Sequence, residues 1–165
     1  AERLGHDLSS LEVVFHMAAP CPPWLKEAWC KWLGPEKIYE LYGATEGQLV
    51  CVIRGDIWMA KPKYPGTNLV GNARSGEISI RDEEGKPLPP LQMGLVYSPS
   101  INTYTYRGAK SDVSSDGFET VGDIGMVDEE GYLYLGDRKK DMVIVGGSNV
   151  YPAEVEAAIE EHPAV

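Results

Sequence analysis

Long hydrophobic runs, an excess of positive charge and paired cysteines are what this chain of 165 residues lacks. No stretch approaches the ~18 consecutive apolar residues of a membrane-spanning helix, and Ala1 to Gly5 hold no apolar core of a signal peptide. With 15 Lys and Arg against 25 Asp and Glu, the formal net charge is −10 and the pI about 4.7. That field has the wrong sign for nonspecific attraction to nucleic acid or to an anionic membrane, so a small anionic ligand needs local donors. The three cysteines, Cys21, Cys30 and Cys51, crowd the first third without CxxC spacing. This argues against a disulfide framework and against structural zinc, and a reducing cytoplasm is the expected compartment. The remaining composition, 43% hydrophobic and 24% charged, suits a globular chain with a real core.

The apolar run "LEVVFHMAA" at 11–19 predicts a buried strand. In "PPWLKEAWCKWLGP", Leu25, Ala28, Trp29, Trp32 and Leu33 recur at helical spacing between a Pro-Pro start and a Gly-Pro stop, which predicts a helix with those residues inward. "KIYELY" at 37–42 reads as a second strand, so the first fifty residues alternate β and α as in a parallel sheet. Beyond about residue 52 the pattern changes to short strands and turns. "GEISIRD" runs into a "DEEG" turn at 82–85, and "DIGMVD" and "YLYLGD" flank a second "DEEG" at 128–131, so two hairpins are expected. Between them only a strand near Leu95 to Tyr97 is legible. Near the end come a strand at Met142 to Val145, a Gly146-Gly147 turn and a helix opened by Pro152 with Val155, Ala158 and Ile159 inward. So small an apolar face needs tertiary partners, either the hairpins or residues past Val165.

Candidate chemistry sits in three places. In "YELYGATEG" at 39–47, Tyr42 offers a ring for stacking, Gly43 a close-approaching backbone, Thr45 a hydroxyl for phosphate and Glu46 a carboxylate for magnesium. All four lie at a strand's carboxyl end, where α/β sheets bind ligands. The plainer alternative makes Thr45 a cap and Glu46 its first-turn acid. In "FETVGDIG" Asp123 can accept both hydroxyls of a ribose, and in "GDRKKD" Arg138 can donate a fork. Alone, each could equally be a turn-starting Asp or a surface ion pair. His16 could line a pocket or be a satisfied core histidine.

Taken in order, "YGATEG", the "GD" of "VGDIG", "DEEGYLYLGDRKKD" and "GGSNVYPAEVE" resemble the adenylate-forming, AMP-binding superfamily, which includes acyl-CoA synthetases, luciferases and peptide-synthetase adenylation domains. The matches span residues 42 to 156. "FHMAAPCPPWLKEAW" is similar to the equivalent stretch of ligases for bulky acids, including bile-acid-CoA ligases.

The resemblance implies an α/β plus β-rich fold. Residues 1–139 would be the C-terminal part of the large AMP-binding domain, with 1–52 the edge of a parallel α/β sheet and 53–139 a distorted antiparallel β-barrel subdomain. Residues 140–165 would open a small α+β C-terminal domain. It also implies that Tyr42 stacks on adenine, Thr45 meets phosphate, Glu46 holds magnesium, Asp123 takes the ribose hydroxyls and Arg138 reaches the ribose. Lys140 would be the hinge, Gly146, Gly147 and Asn149 the CoA path, and His16 and Ala18 the acyl pocket. The implied reaction is ATP-dependent: a carboxylate displaces pyrophosphate to give acyl-AMP, and the acyl group passes to CoA. An adenylation domain loading a carrier protein and a non-catalytic β-rich binding module are the alternatives.

The family's Ser/Thr/Gly-rich phosphate loop has no counterpart before Leu11, and the lysine that meets the acyl phosphate falls past Val165. The chain is therefore expected to be an internal piece, inactive alone. "TVGD" replaces the usual "TGD", putting the part of Thr120 in question, and "MGLVY" at 93–97 lacks the acidic residue of "GEI", which occurs instead at 76–78.

Overall fold

A computed structural model describes residues 6–44, 50–99, 113–120, 122–138, 143–145, 148–150, 152–160, 162 and 164. Strands β1 (Val14–Met17) and β2 (Ile38–Gly43) run parallel, with Val14 opposite Ile38 and Met17 opposite Leu41. Parallel neighbours require a crossover, supplied here by helix α1 (Pro23–Leu33) and a 3₁₀ turn over Pro35–Lys37. Pro23 opens α1 where a missing N–H costs nothing. Gly34 closes it at φ 97°, donating its N–H to the Cys30 carbonyl at 3.1 Å.

The inward face of α1 is rotated from the one its apolar spacing predicts. Lys26 and Cys30 are the buried residues, whereas Trp32 is exposed and Leu25, Ala28, Trp29 and Leu33 are half-buried. The cause is Glu40 on β2. Its buried carboxylate pairs with the Lys26 ammonium, Asn68 Nδ2 donates to Glu40 Oε1 at 2.8 Å, and Lys26 Nζ donates to Asn68 Oδ1 at 3.4 Å. The ammonium also lies 4.6 Å from the centre of the fully buried Trp58 ring, a favourable arrangement for a desolvated cation. Burial pushes the Lys26 pKa down to about 8.

After β2 the chain becomes antiparallel: β3 (Val50–Arg54), helix α2 (Gly55–Ala60), β4 (Asn68–Ser75), β5 (Ser79–Arg81), β6 (Gly94–Pro99), β7 (Phe118–Glu119), β8 (Asp123–Val127) and β9 (Leu133–Arg138). One mixed sheet runs β1-β2-β3-β4-β9-β8-β6-β5, with β7 on β6. This is the expected α/β edge followed by a β-rich region, but the path is open. Among the described residues its outer strands β1 and β5 do not pair, so the antiparallel part is a curled sheet and not a closed barrel. Register shifts between β3 and β4, β4 and β9, and β8 and β9 supply the curl, because bulges sharpen strand twist. Gly71, at φ 106°, sits at the β4–β9 shift, and a Cβ there would fall 2.4 Å from the Val52 carbonyl oxygen.

Two clusters make up the core. Cys51, Val70, Ile80, Val96 and Leu133 cluster together with Tyr42 packed against them, while Ile53, Trp58, Leu69, Met126 and Tyr134 form the second cluster with α2. Successive residues of β4 (Leu69, Val70) and of β9 (Leu133, Tyr134) serve opposite clusters, as strand alternation dictates.

Both "DEEG" segments fold alike. The N–H of Gly85 donates to the Asp82 carbonyl at 3.1 Å and that of Gly131 to the Asp128 carbonyl at 3.0 Å, with the glycines at φ 80° and 82°. Past these turns, β10 (Val143–Val145) and β11 (Ser148–Val150) pair antiparallel, and α3 (Pro152–Glu160) begins at Pro152 as expected. Val155, Ala158 and Ile159 are exposed, so among the described residues nothing covers this face of α3.

Candidate active site

Tyr42 is the penultimate residue of β2 and Asp123 the first of β8. Four interstrand spacings separate these strands along the sheet order, about 19 Å in a flat sheet. Yet the Tyr42 hydroxyl donates to Asp123 Oδ2 at 2.5 Å, joining residues 81 positions apart. The curl therefore brings the carboxyl end of β2 against the start of β8. Arg138 joins them through the backbone, since it is the register partner of Asp123 across β8–β9. Gly43, exposed, follows at the rim.

Local sequence fixes the Asp123 carboxylate. Thr120, buried, accepts a hydrogen bond through Oγ1 from the Gly122 N–H at 3.0 Å, and Gly122 turns the chain at φ 85°. The threonine of "TVGD" thus braces the turn that delivers Asp123. The β8–β9 register shifts between Asp123 and Gly125, and a Cβ at Gly125 would lie 2.7 Å from the Tyr134 carbonyl oxygen. Such a bulge re-aims the side chain beside it. Asp123 itself is buried.

Beside β2, the end of β1 carries the two residues expected at an acyl pocket. His16 is opposite Glu40 in register, 6.0 Å from the Trp29 ring, and no partner for its buried Nδ1 is found among the described residues. Burial, then the Lys26 charge, lowers its pKa and so favours the neutral imidazole. Ala18 is exposed at φ 73°, a conformation costing a non-glycine residue ~1–2 kcal/mol. Strain of this kind clusters at functional sites.

Thr45, Glu46, Lys140, Gly146 and Gly147 lie outside the described residues. Asn149 is described as backbone in β11, opposite Ile144. Among the described residues no three His, Cys, Asp or Glu side chains converge as metal ligands. Two contributors escaped the pattern reading: the bracing hydroxyl of Thr120, signalled only by Thr-x-Gly spacing, and the Lys26–Glu40–Asn68 network beneath β2.

One end of the curled sheet thus gathers an aromatic, a carboxylate and an arginine-bearing strand. Residues 1–104 match the model of the AMP-binding enzyme family, and the chain belongs to that family. It is 34% identical to a 2-succinylbenzoate–CoA ligase of Bacillus cereus over 172 aligned residues, covering 99% of this chain and 34% of the relative. The chain thus spans about a third of the length of the curated relatives it matches. That relative is named for an acid other than a bile acid. Among solved structures, the amide bond synthetase McbA from Marinactinospora thermotolerans superposes with a TM-score of 0.79 at 32% identity, over 95% of this chain and 32% of that one. The o-succinylbenzoate CoA synthetase MenE from Bacillus subtilis, in complex with the acyl-adenylate intermediate OSB-AMP, also gives 0.79, at 28% identity over 99% of this chain and 34% of that one.

Proposed function

We propose that this chain carries the nucleotide-gripping part of an ATP-dependent, AMP-forming acid–thiol ligase. The observation that carries this reading is the meeting of Tyr42 with Asp123 and the Arg138 backbone, from two distant parts of the sequence, at the carboxyl end of β2. In this reading the Tyr42 ring faces adenine, Gly43 admits the ligand close to the backbone, and Asp123 accepts the ribose hydroxyls with Arg138 beside it. Thr45 donates to phosphate, and the Glu46 carboxylate is the oxygen ligand for magnesium, which offsets phosphate charge. The chain's share of the catalysis is positioning: a carboxylate attacks the α-phosphorus of ATP, pyrophosphate leaves, and a thiol then displaces AMP from the acyl adenylate.

Residues 1–139 form the large-domain part and 140–165 open the small domain, with Lys140 as hinge and Gly146, Gly147 and Asn149 along the CoA path. His16 and Ala18 border the acid, whose pocket is lined from β1. CoA as acceptor is supported by the name of the Bacillus cereus relative; the amide bond synthetase neighbour favours an amine as the second reading. Three free, buried cysteines support a reducing compartment, the cytoplasm.

The test replaces the matching third of the Bacillus cereus ligase with this chain and measures carboxylate-dependent ATP–pyrophosphate exchange, then acyl transfer to CoA or to amines. Exchange is expected, falling about 10- to 100-fold with Asp123→Asn, the size of a hydrogen bond to a charged group. A folded chimera in which Asp123→Asn exchanges as fast as the parent would remove the ribose assignment. Transfer to amines alone would select the second reading.

A further inference from the structure

We infer that Asn68 is a positioning residue: its side-chain amide, held between Glu40 and Lys26, sets how far the sheet folds over at β4, and so whether Tyr42 meets Asp123. Only the consequence for catalysis rests on the nucleotide reading above; the placement itself does not.

Strand β4 is where the sheet turns. Its later residues pair with β3 through Val52–Asn72, Cys51–Ala73 and Val50–Ser75, whereas its first residues pair with β9, Asn68 opposite Leu135 and Leu69 opposite Tyr134. Among the described residues Asn68 to Val70 have no register partner on β3, so the ladder opens on that side as the strand changes neighbours. Leu69 packs there with Ile53 and Trp58. Burial of apolar surface has no preferred direction, however, and leaves the angle between the two halves open.

Asn68 supplies the direction. Strands β2 and β4 are two interstrand spacings apart, about 10 Å in a flat sheet, and side chains standing perpendicular to such a sheet would not meet. Here Asn68 Nδ2 donates to Glu40 Oε1 at 2.8 Å while Asn68 Oδ1 accepts from Lys26 Nζ at 3.4 Å, and Lys26 and Glu40 are themselves buried and paired. One orientation of the amide fits. Turned over, it would aim its N–H groups at an ammonium and its oxygen at a carboxylate; of the side chains of similar size, aspartate lacks the donor and leucine lacks both groups. The link thus joins α1 and β2, on one side of the bend, to β4 and through its register to β9 on the other. Strand β9 in turn pairs with β8 at Asp123. A change of angle at Asn68 is therefore carried to the rim, where the Tyr42 hydroxyl donates to Asp123.

The experiment reads the bend by solution NMR of the 165-residue chain. In the unsubstituted chain the Asn68 side-chain amide is expected to exchange with water at least about tenfold more slowly than an exposed amide, the size of one hydrogen bond to a charged group. A cross-peak should also join the Tyr42 ring protons to the Asp123 β-protons. Asn68→Leu and Asn68→Asp are expected to lose it. The swap Asn68→Asp/Glu40→Gln, which keeps one carboxylate, one amide and the ammonium, should restore it, a rescue that a merely space-filling side chain would not give. In the chimera described above, the single variants should slow ATP–pyrophosphate exchange about 10- to 100-fold, the cost of a misplacement remote from the chemistry. A fast-exchanging Asn68 amide or a missing cross-peak in the unsubstituted chain overturns the inference, as does a cross-peak that survives both single changes. Where the single variants do not fold, the amide exchange and the swap decide. A cross-peak lost while ATP–pyrophosphate exchange keeps its rate leaves the inference standing and removes Tyr42 and Asp123 from the nucleotide reading.

Discussion

Glu40 and Tyr42 are two residues apart on one strand and share one of its faces, yet their polar atoms meet opposite fates. Glu40 is sealed beneath α1, with Lys26 and Asn68 supplying its partners. Tyr42 sits where the strand ends and the curl of the sheet begins, and its hydroxyl reaches a carboxylate on a strand four places away. A polar group enclosed beside a buried cation and an amide contributes to architecture. Two residues further on, the same strand leaves the cover of the helix, and its donor serves a carboxylate on a distant strand instead.

The largest effect that sharpens this contrast comes from the sealed side. Removing one member of a buried ion pair leaves the other charge without compensation, at a cost of ~3–5 kcal/mol. Glu40→Ala is thus expected to lower unfolding stability by that amount in urea. The double variant Lys26→Met/Glu40→Leu should lose less than either single change, since apolar replacement of a whole pair is often neutral. If both single variants are harmless, the network does not anchor β2.

The twin "DEEG" turns repeat the contrast in identical sequence. Asp82 is bound by its own turn, with the Lys86 N–H donating to Oδ1 at 2.8 Å. Asp128 accepts from the N–H groups of Glu130 and Tyr132 at 3.0 and 2.9 Å, is buried, and has the Lys61 ammonium 3.6 Å away. Deleting a carboxylate that leaves buried donors unsatisfied costs ~1–3 kcal/mol, so Asp128→Ala should destabilise by about 2 kcal/mol. Asp82→Ala, whose donors face water, should stay within about 0.5–1 kcal/mol. Equal thermal shifts for the two variants would show that the turn alone, without its surroundings, sets the cost.

A further effect, absent at neutral pH, concerns Cys51, which lies opposite Tyr42 in register. Burial pushes its thiol from 9.0 up to about 12. The folded chain therefore keeps this proton where the unfolded chain releases it, and stability falls as pH rises from about 9 toward 12. Relative to Cys51→Ala the loss should reach about 1.4 kcal/mol by pH 10. A pH-independent difference between the two proteins would mean that the thiol is wet.

Much of this was legible in advance because local rules governed it. The Pro-Pro start and Gly34 stop fixed α1, the "DEEG" glycines fixed both turns, and ordered motifs named Tyr42, Asp123 and Arg138 before geometry joined them. Lys26 was not legible, since an inward lysine depends on Glu40 and Asn68, 14 and 42 residues away. Strand β4 escaped notice because Gly71 interrupts its alternation, and that glycine is there for the close approach of Val52. The open curl likewise follows from register shifts that no single segment announces.

The β8–β9 hairpin carries Asp123 and Arg138 at its open end and the Asp128 turn at its closed end, about 17 Å away along the strand. At that turn the Lys61 ammonium, one residue past α2, lies 3.6 Å from Asp128 Oδ2, while β4 and β6 flank the hairpin on either side. The helix end, the turn and the two neighbouring strands thereby make one frame, and where Asp123 and Arg138 sit is decided by all of it together.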